Sequence, residues 1–178
     1  EYGKYIDTIY TPLDDNSLVL YLILAVPFAH GSAMIRKDFI NKYKIQYGLN
    51  NIKYAEDKAF WIDMFRKNAK FGNVNEILFE YRELSGSISK IKAKEYQTFA
   101  NDIKLSFIKE FDKDLRLKLL KISMDISNLS NLEMEHLADL SLLLFFLKKD
   151  VVYWRIFKKL APRYKIISFF KFLANFFS

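Results

Sequence analysis

The chain has 178 residues, 51% hydrophobic and 17% aromatic, which excludes a disordered polymer and suits one domain or one and a half. It contains no Cys and five Gly, which excludes disulfides, Cys-ligated zinc, iron–sulfur clusters, thiol nucleophiles and glycine-rich phosphate loops. Its net charge of +7 is concentrated at one end: residues 148–178 carry eight Lys and Arg against Asp150 alone, while the rest is balanced, so the basic end is expected to meet an anionic surface.

The chain opens on Glu1 rather than Met, and we read it as cut from something longer. Asp14, Asp15, Asn16 and Ser17 are N-cap residues ahead of an apolar run, so a helix is expected from Leu18 until Pro27 stops it. Ala33, Met34 and Ile35 read as a short strand running into a helix over residues 37–43, and Asn50-Asn51 as a turn. Ala59, Phe60, Met64 and Phe65 recur at helical spacing, which predicts a helix over 56–68, broken by Phe71-Gly72-Asn73. Residues 77–82 read as a strand that ends at Ser85-Gly86-Ser87. Beyond Ser89 the texture turns helical: 90–111, 115–128, 132–149 and 151–160 each show a period near 3.6. Pro162 precedes a last segment, 164–177. The domain reading is therefore a mixed α/β piece over 1–90, a helical extension over 91–160 and a basic amphipathic tail over 161–178, mostly helical overall. The two most apolar stretches, 18–28 and 137–147, are too short to span a bilayer, which takes about 20 residues. No secretory signal opens the chain.

Three stretches bear on chemistry. Glu56-Asp57 places a carboxylate pair at a helix start, where the macrodipole favours the charged form. Trp61 follows Asp57 by one turn on the same face, an arrangement that suits a sugar, whose ring packs on the indole while the carboxylate takes a hydroxyl proton. Arg82, with Ser87 and Ser89 close behind it, supplies donors for an anionic leaving group. Each has a plainer reading: the acids as caps, Trp61 as core, His30 as a hydrogen-bonded structural residue, Arg82 as a strand end reaching water.

Taken in order, Pro27 to Lys37 with His30 and Ser32, Tyr54 to Trp61 with Glu56-Asp57, and Tyr81-Arg82 to Ser89 resemble the C-terminal half of the GT-A nucleotide-sugar glycosyltransferases of glycosyltransferase family 2. The resemblance covers residues 17–89. It implies the acceptor-side half of a GT-A fold and inverting transfer of a sugar from a nucleotide-sugar donor to a hydroxyl of a glycan or lipid-linked glycan, in bacterial surface polysaccharide synthesis. Asp57 would be the catalytic base; Glu56, Trp61, His30 and Ser32 would bind the acceptor; Arg82 and Ser87 would face the donor diphosphate. A divalent metal, Mn or Mg, is expected in the full-length enzyme, with no metal ligand in this chain. Two departures stand out. Leu84 occupies the place of the family's His, and the nucleotide-binding half with its Asp-x-Asp has no counterpart, Asp14-Asp15 reading as a helix cap. The chain by itself is expected not to turn over.

In the tail, Ile166, Phe169, Phe170, Phe172, Leu173, Phe176 and Phe177 share one broad helical face, with Ser168, Lys171 and Asn175 opposite. That pattern fits a helix lying on anionic lipid at the inner face of the plasma membrane, or one docked on the helical extension as core. It is too apolar for nucleic acid. A homo-oligomer through the helical extension stays open. The competing reading of the whole chain is a non-catalytic, membrane-associated helical interaction module.

Overall fold

In a computed structural model the described residues are 3, 5–48, 54–82, 86, 91–127, 129 and 131–160, the last run by backbone alone over 131–133. Asp14 opens the first helix, its carboxylate accepting from the backbone N–H groups of Asn16 at 2.9 Å and Ser17 at 3.2 Å. This helix, α1 (Asp15–Leu24), buries Ser17, Leu18, Val19, Leu20, Leu22 and Ile23, so it is covered on nearly every side. A 3₁₀ turn (His30–Ser32) and α2 (Lys37–Tyr43) follow, then α3 (Glu56–Arg66). Four more helices complete the described chain: α4 (Ala93–Glu110), α5 (Asp112–Met124), α6 (Asn131–Lys148) and α7 (Val151–Leu160).

The core forms around α1, which packs against α3, α4, α5 and α6, while α7 pairs with α6 and rests on α5. One continuous cluster joins Val19, Leu22 and Ile23 to Trp61 and Ile62 of α3, Phe107 of α4, Leu119 of α5, Leu140 of α6 and Tyr153 of α7. Polar straps fix the periphery. Arg66 grips Glu110 with two donors, Nε and a terminal nitrogen, joining α3 to α4. Asp15 accepts from the Phe71 backbone N–H at 3.0 Å and from Lys70 Nζ at 3.1 Å, tying the chain after α3 back to the start of α1.

The helices expected from spacing form close to where they were read, Val151–Leu160 at the same bounds. The α/β class does not form. Among the described residues there is no strand and no sheet; the element order is helical throughout. Residues 33–36 run without ladder partners into α2. Residues 77–82 carry no regular secondary structure, with Ile77 and Leu78 each 70% exposed. A strand exists only through hydrogen bonds to a neighbour, and alternating apolar residues without a second strand yield an isolated segment. The turn at Asn50-Asn51, Leu84, Ser87, Ser89 and the tail 161–178 lie outside the described residues. No helix among the described residues is long and apolar enough to cross a membrane.

Candidate functional site

The carboxylate pair sits where α3 begins. Ala55 is buried and held in the left-handed region at φ 59°, which turns the chain sharply into the helix without a capping side chain. Glu56 and Asp57 thus occupy the first turn of α3, at the positive end of its dipole. One Asp57 carboxylate oxygen accepts from the Lys58 backbone N–H at 2.7 Å and from the Tyr96 hydroxyl of α4 at 3.4 Å. Asp57 is neither fully exposed nor sealed.

Two phenols flank the pair. Burial, the charge of Asp57, the hydrogen bond to it and then the charge of Glu56 raise the Tyr96 hydroxyl well above the ordinary tyrosine range. Tyr47, on the turn after α2, is also raised, by burial and then by the charges of Glu56 and Asp57. Tyr47 is 49% exposed, and its ring lies 4.8 Å from that of His30. His30 in turn stands edge-on to Phe60 at 5.9 Å and Trp61 at 5.8 Å. The rim is therefore His30, Tyr47, Glu56, Asp57 and Tyr96, drawn from the 3₁₀ turn, the loop after α2, and α3 and α4.

Trp61 lies beneath that rim. It is 3% exposed, packed against Phe28 at 4.7 Å and Phe60 at 5.1 Å, and takes the core place rather than that of an open platform. The exposed ring beside the carboxylates belongs to Tyr47. Ser32 shares the turn of His30, but its hydroxyl donates to the Ala29 carbonyl at 2.8 Å. Arg82 is exposed at the end of the extended segment. The structure thus brings Glu56 and Asp57 together and His30 next to them through Tyr47, and leaves Ser32 committed locally.

Behind the acids lies a feature that sequence reading missed. Lys58 is 1% exposed, and its ammonium donates to the carbonyl oxygens of Leu22 and Ile23 in the last turn of α1, where carbonyls lack an intrahelical donor. Burial pushes it far below the ordinary lysine range, Lys104 adds to this, and Asp57 opposes it. Lys104 of α4, also buried, donates to Asn101 at 3.3 Å and is lowered to about 8 by burial. The signal for Tyr96 and Lys104 is periodicity: they share a helical face with the buried Ala100 and Phe107.

Among the described residues no three His, Asp or Glu side chains gather to hold an ion. Asp14 is spent on its cap, and Asp15 on Phe71, Lys70 and Lys118. An apolar cavity of about 10 Å³ between α1 and α6, lined by Leu20, Tyr21, His136 and Leu140 among others, is too small for a ligand and apart from the acids. The chain matches no family model, no curated protein and no solved structure.

Proposed function

We propose that the start of α3 is the acceptor end of a sugar transferase resembling glycosyltransferase family 2, contributing to inverting transfer from a nucleotide-sugar donor. The observation that carries the reading is the Glu56–Asp57 pair at a helix N-terminus, bordered by the exposed Tyr47 ring, His30 and the Tyr96 hydroxyl. Such a rim offers carboxylate acceptors, phenolic and imidazole groups, and one open aromatic face, the complement of a polyhydroxylated ring. In the step proposed, Asp57 takes the proton of the acceptor hydroxyl as that oxygen bonds to the anomeric carbon. The bond to the nucleotide diphosphate breaks, and the diphosphate leaves with the electron pair. Glu56, His30 and Tyr47 orient the acceptor; Arg82 and Ser87 are assigned to the diphosphate from the resemblance.

The test is Asp57→Asn in the full-length enzyme. We expect transfer to fall at least about 100-fold, the low end for removal of a general base, with the circular dichroism of the parent retained. Transfer at the parental rate would remove Asp57 from the mechanism. A second reading, a helical interaction module without catalysis, is favoured by the closed helical core and the burial of Trp61. It requires that the protein show no transfer for Asp57→Asn to lower, and that acceptor oligosaccharides leave the Tyr47 and His30 resonances unmoved.

A further inference from the structure

α6 and α7 meet in a fixed corner. Lys149 adopts the left-handed conformation, φ 56°, and its N–H donates to the Phe145 carbonyl at 2.8 Å, which ends α6. Asp150 starts α7 by accepting from the Val152 N–H at 2.9 Å, and it also meets Arg116 of α5 at 3.4 Å. Lys148 reaches Asp112 at 3.5 Å. The corner is thus clamped to α5 from both sides of the turn.

What it presents outward is basic and aromatic together. α7 turns Tyr153, Ile156 and Leu160 into the core. On its outer side Val151, Trp154, Arg155 and Lys158 share one face. Trp154, 37% exposed, stacks on Phe157 at 5.3 Å and leans on Phe145 at 5.5 Å, and Phe145 continues to Phe146. Lys158 lies over the Trp154 ring and Lys149 over that of Phe146. Leu147 and Val151 are exposed beside them. Residues 145–160 include no Asn, Gln, Ser or Thr.

We infer that this α6–α7 corner is a docking surface for an anionic lipid bilayer. The cations complement phosphate headgroups, Trp154 sits at the level where indoles settle in a bilayer, and Phe146, Leu147 and Val151 enter the acyl boundary. A nucleic acid or a polar acidic protein would satisfy Lys149, Arg155 and Lys158 but leave Leu147 and Val151 in water. A bilayer takes both. The surface is preformed by the corner, so binding does not have to fold it.

The experiment uses the whole chain with vesicles of phosphatidylcholine alone and of phosphatidylcholine with an equal part of phosphatidylglycerol. We expect co-sedimentation with the anionic vesicles only, weakened by salt. Arg155→Glu/Lys158→Glu should lower the partition coefficient by about 25-fold or more, each cation near the surface being worth roughly fivefold. Brominated acyl chains should quench the Trp emission of the parent, and Trp154→Phe should abolish that quenching, because Trp61, the other of the two indoles, is sealed in the core. Three results would overturn the assignment: no quenching in the parent, undiminished binding of the charge-reversed variant, or retention on DNA in place of vesicles. The quenching reads the parent and does not depend on the charge-reversed variant folding.

Discussion

At the scale of single residues, the acids at the start of α3 were legible because two carboxylates opening an apolar-periodic run are a local pattern. Tyr96 was not, because it lies 39 residues from Asp57 and only packing of α4 on α3 brings them together. That contact has its own check, independent of any activity. Asp57 contributes to the raised ionisation of the Tyr96 phenol by its charge and by its hydrogen bond, so Asp57→Asn should let the phenol ionise at lower pH. A ¹³C titration of the tyrosine ring carbons reads this directly, and an unmoved Tyr96 curve would separate the two groups. Lys104 offers a second check. Burial lowers it to about 8 from the model-peptide value of 10.5. Between those values the unfolded chain holds a proton that the folded chain has released, so stability rises with pH across that window. Lys104→Met should be the more stable protein at pH 7, and should lose part of the rise, which for one proton is at most about 1.4 kcal/mol per pH unit. Urea unfolding at pH 7, 8.5 and 9.5 measures it; equal slopes in parent and variant would place Lys104 in water.

At the scale of elements, the helices were readable because their information is local: a cap, a period, a stop. Asp14 and Pro27 bracket α1, and the 3.6 period of residues 151–160 gives α7 its bounds. The two expected strands do not form, for a physical reason. Ile77-Leu78-Phe79 has strand composition, yet a strand is a property of a pair. What spacing could not disclose in α1 was which neighbours would cover it. Leu20 is fully buried on this helix, and Leu20→Ala should cost about 2–5 kcal/mol by loss of transfer energy and by the hole left behind. Thermal unfolding of the variant checks the figure; a loss below about 1 kcal/mol would mean that the surrounding side chains collapse into the gap.

At the scale of the whole molecule, composition foretold a neutral body with a basic end, and the structure distributes part of that charge over a rigid corner of the bundle, where Arg155 and Lys158 lie outward beside Trp154. The carboxylate rim draws on the 3₁₀ turn, the loop after α2, and α3 and α4; the corner draws on α6 and α7. Different segments of the chain therefore carry the two surfaces, and each is open to mutation without touching the residues of the other. One further result follows from the placing of α1. Its apolar surface is covered by α5 and α6, which are translated long after it. At about 5–20 residues per second, a ribosome leaves the Leu18–Ile23 stretch without its final neighbours for several seconds at least. During that interval the nascent chain displays an uncovered greasy helix, the kind of segment that chaperones retain, and slowing translation between Met124 and Leu140 should lengthen its time in their hands.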